Sequence, residues 1–308
     1  MIAPVRKEGA LLMHSPRLVK DRVTAFVLRS ALFLILALAC LVTVVLFVKS
    51  QPILARSPLA QIFLSSSWRP MKGQFGFFPF IMGTLEVTAI AMVLSLPCCL
   101  LCALYLSEYA RKRFREFASL VIDILAGIPS VIYGLWGIVV IVPLVRLTGH
   151  FLGVKTTGYS LLTGGVILAI MVCPVIISVC LEVFRSIPLH ARESALALGT
   201  TKWEMIKCVV LRGGLHGIIA ATVLGFARAI GETMAVVMVV GNVPAVPSSL
   251  FGPAYPLPAL IANNYGEMMS IPLYDSALML AALILLVVVG VFSLTAHLAL
   301  LGIERRGG

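Results

Sequence analysis

Long apolar runs alternate along the chain with short polar and charged segments. A helix needs about 20 apolar residues, each rising about 1.5 Å, to cross a hydrocarbon core about 30 Å thick. Six runs meet this length: 25–48, 78–106, 119–146, 160–181, 215–240 and 277–302. The pattern therefore predicts an all-α integral membrane protein with six transmembrane helices.

The segments between these runs complete the predicted organisation. A basic N-terminus covers residues 1–24, and the first helix is interpreted as retained because no small-residue cleavage site follows it before a soluble domain. A loop at 49–77 separates it from a core of five helices at 78–302. A tail at 303–308 follows the core.

Lysine and arginine are unevenly divided between alternate loops, which predicts the orientation because positive residues are held on the cytoplasmic side. One side carries 16 of them and the other carries 5. The first set is Arg6, Lys7, Arg17, Lys20, Arg22, Arg111, Lys112, Arg113, Arg115, Arg185, Arg192, Lys202, Lys207, Arg212, Arg305 and Arg306; the second is Lys49, Arg56, Arg69, Lys72 and Lys155. Both termini and the loop at 182–213 are therefore predicted to be cytoplasmic.

Composition supports the membrane class. Hydrophobic residues make up 60% of the 308 residues and charged residues only 12%, with a mean hydropathy of +1.06. The net charge of +11 is then explained by orientation in the bilayer, and we expect no nucleic-acid partner. The seven cysteines lie in predicted helices or the cytoplasmic loop; Cys99 and Cys102 share a helical face but lack further ligands, so we expect core packing, with no metal and no cofactor.

The cytoplasmic loop at 182–213 is much longer than a connection requires. Pro188 suits the first turn of a helix and Gly199 its end. Thr201 and Glu204 have the spacing of a capping box for a second helix. The loop is therefore predicted to be two short helices joined at an elbow, which could rest on lipid headgroups or dock another protein. Its small Ala and Ser residues favour docking.

The fifth apolar run contains two charges near the middle of the bilayer. Arg228 and Glu232 lie four positions apart and can form an ion pair along the helix. They share a small and charged face with Ala221, Gly225 and Ala235, opposite a lipid-like face formed by Val223, Phe226, Ile230, Met234 and Val237. The chemistry alone leaves two interpretations open: a structural ion pair at a subunit interface, or part of an anion pathway.

Three other features of the helical core bear on function. Glu86 is an acid in the second run, either at an outer gate or as a hydrogen-bonded structural group. Gly127 and Pro129 are expected to break the third helix and to leave backbone groups that need a partner or a cavity. The loop at 241–276 has six prolines and no Lys or Arg, and is predicted to be ordered, re-entrant or partner-facing.

Several motifs resemble a known family. The stretch RESALALGTTKWEMIKCVVL (192–211) resembles the EAA loop of ABC-importer permeases, with Glu193, Ser194 and Ala195 at the triplet and Gly199 at its glycine. Over roughly 60–308, the segments GTLEVTAIAMVLSLP, LYLSEYA, LAGIPSVIYGLWG and RAIGETMAVVMVVGN resemble phosphate-specific permeases of the PstC type. Arg212 replaces the family's usual proline, so a less kinked elbow is expected.

The resemblance implies a type I ABC importer (MetI-like) permease fold in a bacterial inner membrane. It also implies a second permease of the PstA type, a cytoplasmic ATPase dimer that receives the EAA loop, and a periplasmic phosphate-binding protein. Arg228 and Glu232 would then belong to the phosphate path. The sequence has no G-x-x-x-x-G-K-[ST] phosphate loop, so the chain is not predicted to be the ATPase. The alternatives are a secondary anion transporter or channel, and an ABC permease for another oxyanion.

Overall fold

The computed structural model describes residues 16–56, 58–268 and 271–307. Part of the predicted basic N-terminus, residues 1–15, and the last residue of the predicted tail lie outside this range. The chain divides into two compact units at Lys49 and Ser50. In the first unit, helix α1 (Pro16–Arg56) begins, and the most apolar stretch of this helix has no buried residue.

The second unit is almost entirely helical, with one small hairpin, β1 (Trp68–Arg69) paired antiparallel with β2 (Gln74–Phe75). Its helices are α2 (Leu59–Leu64), α3 (Phe78–Leu104), α4 (Lys112–Gly127), α5 (Ser130–Trp136), α6 (Val142–Phe151), α7 (Leu161–Ser186), α8 (Leu189–Ala197), α9 (Lys202–Met205), α10 (Leu215–Ile230), α11 (Met234–Val237), α12 (Leu257–Asn264) and α13 (Tyr274–Gly307). Short π-helical turns at Tyr105–Tyr109, Gly137–Ile141 and Ile206–Leu211 extend α3, α5 and α9.

Five described helical segments are long and apolar enough to cross a membrane, and a sixth is present if the bent pair Lys202–Leu211 and Leu215–Ile230 is counted as one span. The predicted third span, 119–146, is wrong in its position. Its helix is interrupted at Ile128 and Pro129, and the spanning segment is Ser130–Phe151. Proline lacks an N–H and disfavours helical geometry at the preceding residue, and Ile128 is accordingly extended.

The predicted fifth span, 215–240, is not one continuous helix. Helix α10 ends at Ile230, and α11 starts only at Met234. Gly231 and Thr233, both poor helix formers, lie in the interruption on either side of Glu232. At its other end, α10 follows a bend of 68°, which forms without the family's proline at a pair of glycines, Gly213 and Gly214.

The main core lies where α3 packs along α7. The helices approach closely at Gly165, which has no side chain: a Cβ added there would lie only 2.4 Å from Ile90 Cγ2. Cys99 and Cys180 are buried in this core, and the Cys99 thiol lies 3.7 Å from the Cys173 carbonyl oxygen. The described part of the chain contains no group of three or more His, Cys, Asp or Glu side chains that could hold a metal ion.

The proline-rich loop at 241–276 is ordered over its described residues and folds back onto the helices. Its helix α12 buries four residues: Leu257, Pro258, Ala259 and Leu260. The Leu257 backbone N–H donates a 2.8 Å hydrogen bond to the Thr84 hydroxyl of α3. Nearby, Trp68 packs edge-on against the rings of Phe75, Phe77, Phe80 and Tyr274.

Candidate functional site: a surface helical loop and a broken charged segment

The loop between α7 and α10 contains the two short helices that the sequence predicts. Helix α8 ends at Ala197, and Gly199 follows with a φ of +85°, a conformation that glycine adopts without strain. The capping box of α9 is complete: the Glu204 backbone N–H donates to the Thr201 hydroxyl at 3.3 Å, and the Thr201 backbone N–H donates to Glu204 Oε2 at 2.7 Å. The elbow predicted from these spacings is confirmed.

The outer surface of this loop combines the motif residues with large apolar side chains. Glu193, Ser194 and Gly199 are exposed, whereas Ala195 is half-buried against the main core. Four apolar residues are largely exposed around them, with exposed fractions of 67% for Leu189, 44% for Leu196, 86% for Leu198 and 56% for Trp203. Exposed large apolar residues grouped on one loop are typical of a protein contact.

Sequence reasoning emphasised the small residues of α8 and missed this apolar group. Leu189 and Leu196 share one face of α8, at a spacing of seven. Leu198 and Trp203 come from the elbow and from α9, so one helical period does not place all four residues together.

The inner side of the loop is attached to the end of α3 by an ion pair. Arg192 Nη1 lies 3.1 Å from Glu108 Oε1, and the side chains are 16% and 4% exposed. The Ser107 hydroxyl donates to the same carboxylate oxygen at 2.8 Å. Both residues stand in motifs singled out from the sequence, LYLSEYA and RESALALG, but nothing in either motif indicates that they meet.

Arg228 and Glu232 do not form the predicted pair. Among the described residues the structure has one ion pair, Arg192 with Glu108, and none between Arg228 and Glu232. Because α10 ends at Ile230, the two residues are not on one helical face. Arg228 is exposed in the last turn of α10, where the negative end of the helix dipole favours a cation.

The predicted division of this segment into a small charged face and a lipid-like face is also wrong in part. Ile230, assigned to the lipid-like face, is 1% exposed. Gly225 does pack closely, since an added Cβ would lie 2.7 Å from Ile176. Five residues of α10 are exposed, and four of these follow one another at a spacing of four: His216, Ala220, Leu224 and Arg228.

Glu232 lies half-buried in the interruption between α10 and α11. It lines a small cavity with two threonines of α3, Thr84 and Thr88, and with Pro256 and Pro258 before and within α12. Glu86, on the same helix as the threonines, is half-buried and does not line this cavity. The structure therefore brings Glu232, but not Glu86, to the junction of α3, α10 and α12.

The break at Gly127 and Pro129 leaves a backbone acceptor that a side chain satisfies. The Tyr133 hydroxyl of α5 donates a 2.8 Å hydrogen bond to the Leu125 carbonyl oxygen near the end of α4. The sequence correctly predicts that the break needs a partner, but it does not identify Tyr133.

Two larger cavities are lined by neither Arg228 nor Glu232 nor any residue of the helical loop. One of about 850 Å³ is lined by Arg146, His150 and Lys155 beside α6. A neighbouring cavity of about 840 Å³ shares Lys155 and Thr156. Arg146, His150 and Lys155 are all exposed, so these are surface grooves and not enclosed binding sites.

The fold with its broken spanning helices and its helical loop between α7 and α10 is shared by solved ABC transporters. The chain superimposes on a chain of the inward-facing MetNI methionine ABC transporter with a TM-score of 0.54, covering 77% of this chain and 99% of that one. It also superimposes on a chain of a bacterial alginate ABC transporter in complex with an alginate-bound periplasmic protein. The TM-score is 0.62, and the match covers 91% of this chain and 96% of that one. Both are 18% identical in sequence, so the likeness is one of fold. The predicted ABC-importer permease fold is confirmed.

Residues 95–302 match the family of binding-protein-dependent transport system inner membrane components, and the chain belongs to that family. Among curated relatives, the phosphate transport system permease protein PstC of Xylella fastidiosa is 38% identical over 80% of each chain. The PstC of Mesorhizobium japonicum is 36% identical over 91% of this chain and 90% of its own. A probable PstC of Methanocaldococcus jannaschii is 32% identical over 86% and 90%. The chain is thus a multi-pass membrane permease subunit of the ABC-importer class.

Proposed function

We propose that this permease subunit carries inorganic phosphate inward in an ATP-driven importer, forming the path with a second permease of the PstA type. The observation that carries the proposal is the similarity to proteins named PstC, at 32–38% identity across most of both chains. Such coverage includes the broken α10 to α11 segment and the helical loop. The same ligand and the same division of labour between subunits are the simplest expectation.

The helical loop is proposed to dock the cytoplasmic ATPase dimer through Glu193, Ser194, Ala195 and Gly199. The exposure of Leu189, Leu198 and Trp203 supports this assignment, because burying them in a partner would remove apolar surface from water. ATP would be hydrolysed by those separate subunits, since this sequence has no phosphate-binding loop.

Arg228 and Glu232 are proposed to belong to the substrate path as two independent groups. Arg228 lies on the exposed stripe of α10 with Ala220 and Leu224, and we place the second permease against that stripe. A guanidinium there would offset the charge of the passing anion. Glu232 is proposed to lie along the same path without binding the anion, and Glu86 is proposed to lie at an outer gate.

The proposed location is the bacterial inner membrane, with both termini cytoplasmic. The division of 16 and 5 cationic residues between the two sides supports this orientation. It places the helical loop at 182–213 on the ATPase side. The loops at 49–77 and 241–276 then face a periplasmic phosphate-binding protein.

Reconstitution into proteoliposomes tests the proposal. The chain is assembled with its second permease, the ATPase and the binding protein, and uptake of radiolabelled phosphate is measured with and without ATP. The expected result is ATP-dependent uptake that needs the binding protein, survives an ionophore and is not reduced by excess sulfate or phosphonate. Arg228→Gln should lower uptake at least tenfold at normal assembly, while Arg113→Gln, at an exposed position of α4, should not.

The alternative functions give different results in the same assay. A secondary anion transporter or channel would carry phosphate without ATP and would lose uptake with the ionophore. A permease for another oxyanion would carry that ion with ATP and leave phosphate outside. Either outcome would replace the proposal.

A further inference from the structure

Three polar contacts join the helical loop to one short turn at the end of α3. This turn, Tyr105–Tyr109, is the π-helical extension of α3. Besides the pair of Arg192 with Glu108, the Lys202 ammonium donates a 2.6 Å hydrogen bond to the Glu108 carbonyl oxygen. It also lies 4.2 Å from the centroid of the Tyr109 ring. Both α8 and the start of α9 are therefore attached to the same turn.

Arg192 connects a third element to this turn. While Nη1 faces Glu108, Nη2 donates to the Phe184 carbonyl oxygen near the end of α7. Phe184 is fully buried in the main core. One guanidinium thus joins α8 to the ends of both α3 and α7, which a lysine with a single charged nitrogen would not reproduce.

Helix α8 has little else to fix its position. None of its residues is buried, and its apolar contact with the main core is through the half-buried Ala195. By contrast, α9 and the turn that follows bury Met205, Ile206 and Val210. A helix without buried apolar residues depends on polar contacts for its orientation. Here Arg192 supplies two of them, to the Glu108 carboxylate and to the Phe184 carbonyl oxygen.

We propose that Glu108 and Arg192 are positioning residues that transmit movement of α8 to the cytoplasmic end of α3. When the ATPase displaces α8, the pair makes the end of α3 follow, and α3 carries Thr84 and Thr88 beside Glu232. Without the pair, α8 would move against an α3 that stays in place. This inference rests on the proposed docking of an ATPase to the loop.

The test uses the complete complex in proteoliposomes with four permease variants. Glu108→Gln and Arg192→Gln each remove one charge, and the double variant Glu108→Gln, Arg192→Gln removes both. Arg192→Lys keeps the charge but loses the second bond to Phe184. Glu116→Gln and Arg113→Gln are matched controls, because both residues are exposed on α4 and neither forms an ion pair.

The decisive quantity is phosphate taken up per ATP hydrolysed. We expect both single charge-removing variants and the neutral double variant to assemble, to hydrolyse ATP within about twofold of wild type and to lose at least fivefold in this ratio. The ratio for Arg192→Lys should lie between that of these variants and that of wild type, and the ratio for each of the two controls should equal that of wild type. The melting temperature of the complex is recorded for every variant.

A purely structural pair gives a different pattern. It predicts that the neutral double variant, which has no buried lone charge, recovers both melting temperature and the uptake ratio; that result would overturn the proposal. A normal ratio in either assembled single variant would overturn it too, and so would failure of the double variant to assemble, which would assign the pair to folding. If wild type itself shows no ATP-dependent phosphate uptake, it is the proposed function that fails.

Discussion

Two pairs of opposite charges distinguish the helical loop from the broken segment after α10. Arg228 and Glu232 are four residues apart and were expected to pair, yet they do not. Arg192 and Glu108 are far apart in sequence, were not expected to meet, and form a 3.1 Å ion pair with a carboxylate only 4% exposed. A spacing of four favours an ion pair only where one continuous helix contains both residues. A buried charge, in contrast, needs a partner of opposite charge, whether that partner is near or far in the sequence.

Removing one member of the buried pair should give the largest effect on stability. Glu108→Gln leaves the Arg192 guanidinium, 16% exposed, without its counter-ion, and breaking a buried pair in this way costs about 3 kcal/mol. The double variant Glu108→Gln, Arg192→Gln should cost less than the sum of the singles, giving a coupling of about 2 kcal/mol. Unfolding of the purified permease in detergent would measure it; additive effects would contradict the importance of the pair.

Substitution at the elbow should come next. Gly199 has a φ of +85° but open space where a Cβ would stand, so the cost of Gly199→Val arises from the backbone and is about 2 kcal/mol. Gly199→Asn should cost much less, since asparagine tolerates this region. Co-purification of the ATPase should fall severalfold for valine and little for asparagine. Equal losses would indicate that crowding in the interface, not backbone strain, is responsible.

The break before α5 should respond more mildly. Tyr133→Phe removes the hydroxyl that bonds the Leu125 carbonyl oxygen, which should destabilise the permease by about 1 kcal/mol. Tyr109→Phe is a suitable control because the hydroxyl of this exposed tyrosine has no hydrogen bond in the structure, while its ring still faces Lys202. The unfolding midpoint of Tyr133→Phe should therefore be lower than that of Tyr109→Phe. Identical midpoints would show that the hydrogen bond from Tyr133 to the Leu125 carbonyl oxygen does not stabilise the permease.

The smallest effect should be the coupling between Arg228 and Glu232. Because they do not pair, Arg228→Gln and Glu232→Gln should change the free energy of unfolding additively, to within about 0.5 kcal/mol. Phosphate uptake can still fall in each variant, since a residue of the path acts on the anion and not on its neighbour. A coupling above about 1 kcal/mol in the assembled complex would restore the pair that the sequence predicted.

Local spacing determined several features of this protein. The apolar runs identify the membrane class and most of the spans, Pro129 predicts the break before α5, and Thr201 with Glu204 predicts the start of α9. Each depends on residues within a few positions of one another, so the sequence contains the whole cause. The motif residues Glu193 and Gly199 are found in the same way, by their order along one short segment.

Other features were decided only by tertiary structure. The interruption after Ile230 lies inside an apolar run whose pattern predicts one helix. Gly231 and Thr233 only weaken the helix there, and packing against α7, α3 and α12 decides where the chain turns. The exposure of Leu198 and Trp203 depends on which side of the elbow faces the core. The contact of Arg192 with Glu108 joins residues 84 positions apart; their meeting follows from how α7 lies along α3, because burial and pairing depend on distances in space that no local pattern encodes.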